Sequence, residues 1–253
     1  MSAPYQPSRS IIARLHRQAV QAFAPLPIAY ERHRGAVCFS FDDVPRSAIV
    51  HAAPMLEAHG VRGVFYLCAG FTGATTHLGE MHTRADIDAL LRAGHEIACH
   101  TASHHDLAAM PVAAAIAETD ANAKAMSALG APAMAHFAYP YGETQFALKR
   151  AFGDRFITAR GVNGGVNVGR IDRMQLRAQR LYGEASLNAC QAVMRSAKDH
   201  TGLAILFTHD VQDTPTPYGC TPDLLQRAIA YARTLDLDII TLSTAFPTMP
   251  ERA

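Results

Sequence analysis

Tryptophan is absent from the chain, cysteine is scarce and shows no paired spacing, and neither sign of charge is in excess. The 23 Lys and Arg residues against 22 Asp and Glu leave a formal net charge of +1. That argues against the basic footprint of a nucleic-acid binder and against an acidic tail. No apolar run approaches the ~18 residues of a membrane-spanning helix. The opening stretch, MSAPYQPSRSIIARLHRQAVQAF, lacks the long apolar core of a secretory signal. It reads as a short lead followed by a helix from about Arg9 to Phe23, within a helical N-terminal region of about residues 1–30. Packing on the protein's own surface is the expectation for this helix; its basic residues Arg9, Arg14, His16 and Arg17 keep an amphipathic, surface-binding role as the alternative. The five cysteines are odd in number, and Cys38, Cys68 and Cys99 fall in or beside apolar runs. Free, buried thiols follow, as suits a reducing cytoplasm.

What the chain does have is apolar substance in short alternating segments. Of its 253 residues 49% are hydrophobic, enough for a real core. Strand-like runs fall at Ala36–Phe41, Gly63–Ala69, Glu96–Cys99, Ala135–Pro140, Arg155–Ala159, Leu176–Tyr182, Leu203–Thr208 and Asp238–Leu242. Between them, Ser47–His59, Thr83–Ala93, Pro111–Leu129, Thr144–Ala151, Ser186–His200 and Pro222–Leu235 carry apolar residues at helical spacing. Gly60, Gly94, Gly130 and Gly202 follow four of the helical stretches as terminators, and Thr83 and Ser186 stand at helix starts. Strands alternating with helices predict an α/β fold. Seven or eight repeats favour a distorted (β/α) barrel of parallel strands, with an open doubly wound sheet as the alternative. No linker or internal repeat interrupts the chain, so residues 1–253 are expected to form one domain. The least regular stretch, residues 159 to 173, reads as a loop.

In a parallel barrel, chemistry collects where strands end. Asp42 and Asp43 follow the first long strand; His100, His104 and His105 follow HEIAC; Tyr141 follows AHFAYP; Arg160 follows FITA; His209 and Asp210 follow LAILFT. Adjacent carboxylates at the end of a buried strand repel and call for compensation by a cation, a proton or water. His100 and His104 are four apart, which on a helical turn would place them on one side. Two imidazoles and a carboxylate suit a divalent ion such as zinc; local hydrogen bonding is the plainer reading of the same residues. One of the two aspartates would then bind the ion and the other act as a base on water, unless it only accepts turn hydrogen bonds. His209 is either a satisfied structural residue or the acid for a leaving group, with Asp210 and Asp213 near enough in sequence to orient it.

The ordered set FSFDDVP, HTASH, FAYPYG and ILFTHD resembles the polysaccharide deacetylase family, also called the NodB-homology or carbohydrate esterase four family, over about residues 35 to 245. The resemblance implies a distorted (β/α) barrel, removal of N- or O-acetyl groups mostly from amino-sugar polymers, and one divalent metal, usually zinc, with nickel, cobalt or manganese as alternatives. Position by position it makes Asp42 the general base, Asp43, His100 and His104 the metal ligands, Tyr141 the source of an oxyanion-binding backbone N–H, and His209 the general acid. Three departures stand out. Val44 replaces a glycine, and since a β-branched residue disfavours positive φ the turn is expected to use ordinary dihedrals. Ala138 stands where the family carries an arginine that steadies the catalytic aspartate; Arg160 is the candidate to supply that charge, a surface salt bridge being its alternative. The family's fourth motif has an aspartate and a tryptophan; Asp172 is the candidate for the former, and Phe207, Leu206 or Tyr139 for the apolar acyl wall. The segment THDVQDTPTPYGCTP, with Tyr218, either lines the cleft or forms a rigid surface connection. The expected substrate is an acetylated amino sugar, a glycan or a lipid-linked sugar met in the cytoplasm or at the inner membrane face during surface-polysaccharide or lipopolysaccharide assembly. A hydrolase of non-sugar amides and a non-catalytic glycan-binding relative are the alternatives.

Overall fold

The structure is a computed structural model that describes residues 10–23 and 26–249. In chain order its elements are α1 (Ile11–Ala22), β1 (Pro27–Tyr30), β2 (Ala36–Asp42), α2 (Arg46–Ala58), β3 (Val64–Leu67), β4 (Thr75–Thr76), β5 (Gly79–Glu80), α3 (Arg84–Arg92), β6 (Glu96–Cys99), α4 (Val112–Ala128), β7 (His136–Ala138), α5 (Phe146–Gly153), β8 (Thr158–Arg160), β9 (Gly169–Asp172), β10 (Gln179–Arg180), α6 (Leu187–Asp199), β11 (Leu203–Thr208), α7 (Pro222–Thr234), β12 (Asp238–Ile239) and α8 (Leu242–Ala245). Arg9, where the first helix was expected to begin, lies outside the described residues.

Seven parallel strands run in the order β10-β11-β2-β3-β6-β7-β8, and β12 adds to β2 as an eighth. The two ends of this order nearly meet. Arg160, at the end of β8, bridges in parallel to Leu176, and the chain from Leu176 continues into β10, which pairs with β11. The result is the distorted barrel expected from the alternation of strands and helices.

Alternation along each strand divides the core into two layers. Val37, Phe39 and Phe41 of β2, with Phe65, Ile97 and Leu206, pack under the helices. Ala36, Cys38, Tyr66, Ala98, Ala138, Ile205 and Phe207 fill the barrel interior. Continuing the interior register of β2 through Ser40 brings Asp42 to the top of the barrel. Leu206 falls in the helix-facing layer, which removes it as an acyl wall.

Several local expectations are revised. Thr83 does form a reciprocal cap with Asp86, but the Ser186 hydroxyl turns back to the Gly183 carbonyl and caps nothing. Gly202 is not a left-handed terminator. Thr201 carries the positive φ of 50°, while a Cβ on Gly202 would lie 2.7 Å from Val166 and 2.9 Å from the Asn167 carbonyl, so close packing is its constraint. The stretch 159–173 is not all loop. It begins with the end of β8 and ends with β9, which pairs antiparallel with β1. Asp172 belongs to this outer ribbon. There it accepts from the buried Lys149 ammonium at 2.8 Å, and Lys149 also donates to the Val20 and Phe23 carbonyls at 2.7 Å each. Lys149 thus ties α1 to the outer ribbon, with Asp172 as its counter-ion, and Asp172 does not line the cavity at the strand ends.

Candidate active site

The C-terminal ends of the barrel strands enclose a cavity of about 670 Å³. Asp42, Asp43, His100, His104, Tyr141 and His209 all line it, as do Tyr139, Phe207 and Tyr218. Asp42 and Asp43 are adjacent in sequence, and in a continuous strand their side chains would face opposite ways. The backbone reverses this. Asp43 and Val44 adopt φ of 58° and 56°, which turns both carboxylates toward the same cavity. The expectation of ordinary dihedrals at Val44 is therefore wrong. Left-handed conformations cost roughly 1–3 kcal/mol each for such residues. Two features offset the cost: the Val44 side chain is fully buried in the helix-facing core, and its carbonyl accepts from both the His82 backbone N–H (3.3 Å) and His82 Nδ1 (3.1 Å).

The His100 and His104 segment is not helical either. Thr101 and His104 have φ of 70° and 53°, and the His104 N–H donates to the Thr101 hydroxyl at 2.9 Å. This tight bend, rather than a helical turn, brings the two imidazoles side by side. With Tyr141 at φ 59°, five of the seven non-glycine residues described with positive φ sit at this one site. Strain concentrated at one place must be held by its surroundings and marks a functional constraint.

His104 Nε2 lies 3.2 Å and His100 Nε2 3.5 Å from Asp43 Oδ1. That oxygen is buried and has no hydrogen-bond donor. His100 Nδ1 is 2.8 Å from the Ala138 carbonyl, which can only accept. The ring proton is thereby placed on Nδ1, and the Nε2 lone pair faces Asp43 and His104. Burial, reinforced by the neighbouring imidazole, pushes His100 down to about 4; burial and the nearby His209 do the same for His104. Both are neutral near pH 7. One orphaned carboxylate oxygen and two neutral imidazoles, with donor atoms within 4.8 Å of one another, fit a divalent cation.

Arg160 is entirely buried and forms an ion pair with Asp42 Oδ1. The surface-bridge alternative is thus excluded. Its guanidinium lies 4.6 Å from the Tyr66 ring centroid and 4.7 Å from that of Phe207, so two aromatic rings flank it. Burial by itself would raise the Asp42 carboxyl, but Arg160, then His100 and His209, outweigh it and hold the group below the usual carboxylate range. Strand β8 puts this charge where Ala138, on β7, leaves none; what Ala138 supplies is its carbonyl, to His100.

His209 Nε2 faces Asp43 Oδ2 at 3.8 Å. Its Nδ1 is 3.2 Å from both the Tyr218 carbonyl and the Tyr182 hydroxyl. The aspartates expected to orient it do not. Asp210 accepts instead from the Thr216 backbone and hydroxyl and from Gln212, ordering the 208–222 segment, and Asp213 is exposed. Sequence reasoning missed Tyr182. Its only signal was a tyrosine at the end of an apolar run. Tyr218 contributes through its carbonyl and, with its half-exposed ring, forms a rim with Tyr182 and His77. Tyr139 borders the cavity, but its ring packs against Phe137 and Phe152 in the helix-facing layer. Tyr141 packs on His104 with ring centroids 4.7 Å apart.

The polysaccharide deacetylase family model matches residues 29–154, the part of the chain that carries Asp42, Asp43, His100, His104 and Tyr141. The fold is similar to that of a chitin deacetylase from the fungal pathogen Colletotrichum lindemuthianum (17% identity, TM-score 0.63, covering 89% of this chain and 93% of that one). It is similar also to a family 4 acetyl xylan esterase from Clostridium thermocellum solved with a cobalt ion (21% identity, TM-score 0.59, 84% and 90%). A mutant described as a family 4 pseudoenzyme with restored enzymatic activity shares it too (13% identity, TM-score 0.58, 85% and 69%). No curated protein matches the chain by sequence. The barrel and its polar rim define a NodB-type deacetylase fold, and the chain belongs to the polysaccharide deacetylase family.

Proposed function

We propose that the protein is a metal-dependent hydrolase that removes an N- or O-acetyl group from an amino sugar or glycan precursor. The observation that carries this reading is the convergence of Asp43, His100 and His104 beside an Asp42 kept ionised by Arg160. A pseudoenzyme can share the fold, so the fold alone does not establish turnover. Here the base, the three metal-binding residues and the acid are all present in one cavity, which supports catalysis over glycan binding alone.

Asp43, His100 and His104 would hold the ion, zinc by preference for one carboxylate and two imidazoles. When bound, it supplies Lewis-acid polarisation of the acyl carbonyl and acidifies a water molecule. Asp42 accepts the proton of the attacking water, with Arg160 fixing its position and charge. The Tyr141 backbone N–H, turned by its positive φ, donates to the developing oxyanion. His209 gives its Nε2 proton to the departing sugar nitrogen or oxygen, while the Tyr218 carbonyl and Tyr182 hydroxyl hold Nδ1. Burial keeps the Tyr182 phenol protonated far above its ordinary range, so it serves as a neutral hydrogen-bonding group. Phe207, lining the cavity from the barrel interior, receives the acyl methyl group. The free, buried thiols at Cys38, Cys68, Cys99, Cys190 and Cys220 support a reducing compartment. No described helix is long and apolar enough to cross a membrane.

Acetate release from N- and O-acetylated sugars, before and after chelation and zinc restoration, tests the reading. Release that is lost on chelation and recovered with metal is expected. Absence of release from every acetylated sugar by fully loaded protein would overturn it.

A further inference from the structure

Among the described residues Arg180 is the only lysine or arginine that lines the cavity. It sits on β10 opposite Phe207 of β11. Leu181 enters the helix-facing core, so alternation places Arg180 and Tyr182 on the cavity side together. The Arg160 guanidinium is committed to Asp42. The Arg180 side chain, by contrast, is exposed and has no hydrogen-bond or ion-pair partner among the described residues. The carboxylates lining the cavity are Asp42, held by Arg160, and Asp43, facing the imidazoles. The remaining ionisable rim is His77, His105 and His209. No rim carboxylate is therefore placed to repel an anion, and a bound divalent ion makes the cavity positive. A planar guanidinium presents paired donors that match the oxygens of a phosphate or carboxylate. Beside it Tyr218, Tyr182 and His77 offer the aromatic surface on which a sugar ring can rest.

We propose that the substrate is an acetylated amino sugar bearing an anionic substituent, a phosphate ester or a carboxylate, which Arg180 binds at the cavity rim. This rests on the deacetylase reading above and narrows it. A neutral homopolymer would leave Arg180 without a partner; an anionic glycan precursor gives it one.

The test compares N-acetylglucosamine, N-acetylglucosamine 1-phosphate and N-acetylmuramic acid on the zinc-loaded protein and on Arg180→Gln and Arg180→Lys. Binding is measured by calorimetry and turnover by acetate release. At least one anionic probe should bind roughly tenfold more tightly than the neutral sugar, the scale of one charged hydrogen-bonded contact. Arg180→Gln should bring that ratio close to one, and Arg180→Lys should restore part of it. The preferred probe tells phosphate from carboxylate. Equal binding of all three probes, or a preference that survives Arg180→Gln, overturns the proposal. Deacetylation of the neutral sugar with no anionic preference leaves the deacetylase reading standing and this one refuted. Arg180-dependent anion binding with no acetate release from any acetylated sugar keeps Arg180 as an anion-binding group and overturns the deacetylase reading, and with it the claim that the bound anion is a substrate.

Discussion

Arg160→Met removes the charge facing Asp42 while keeping most of the side-chain volume between Tyr66 and Phe207. Both members of the pair are buried, Arg160 at 0% and Asp42 at 3% exposure. Breaking such a pair from one side costs about 3–5 kcal/mol, because the remaining charge is stranded. Asp42 lines the cavity, where water can reach its carboxylate, so the lower end, about 3 kcal/mol, is expected at pH 7. That is a large share of the ~5–15 kcal/mol that holds a typical domain together. Urea unfolding at equilibrium should show the midpoint falling with the slope unchanged. Arg160→Met combined with Asp42→Asn strands no charge and should recover to within about 1 kcal/mol of wild type. The sign of the pH dependence follows from the lowered carboxyl. In wild type its contribution is present above the ordinary value of about 4 and is lost as pH falls through the lower folded value. In the variant the carboxyl protonates sooner, so the deficit is greatest near neutrality and shrinks toward pH ~4. Turnover should drop about 100-fold as the base loses its anchor. A stability loss under about 1 kcal/mol, or a double variant no better than the single one, would refute the reasoning.

Asp42→Asn should abolish measurable turnover yet keep about one metal ion per chain by elemental mass spectrometry; loss of the ion would show that the roles of Asp42 and Asp43 are exchanged. His104→Ala should lose the ion, and an unchanged metal content would place the binding site elsewhere. Away from the cavity, burial holds His136 down to about 4, with Nδ1 at 2.8 Å from the Thr158 hydroxyl. Because this folded value lies below the ordinary one of about 6.5, the residue costs nothing above that pH and destabilises progressively as pH falls from there toward 4. His136→Asn should therefore reduce the stability lost between pH 7 and 4.5 by about 2–3 kcal/mol in urea melts, and an unchanged pH slope would contradict it.

The sequence by itself determined the alternation of strands and helices, hence a parallel α/β sheet, closed or open, because apolar periodicity is local and each segment carries its own. It also determined which polar residues stand at strand ends, and four short motifs in order singled out Asp42, Asp43, His100, His104 and His209 as candidates, all of which line one cavity. Tertiary structure decided how these residues face one another. The left-handed backbone at Asp43, Val44, Thr101 and His104 runs against local preference and is stable only because contacts distant in sequence, such as His82 on the Val44 carbonyl, hold it. The choice of Arg160 over a motif arginine was likewise undecidable locally: it depends on β8 lying close enough across the barrel for its last side chain to reach Asp42. The same holds for Tyr182 on His209 and for Asp172 on Lys149, where nothing along the chain distinguishes a cavity residue from a strut. A strand's period says which side of the sheet a residue takes. What waits for it on that side is set by strand order and closure, which only the folded chain contains.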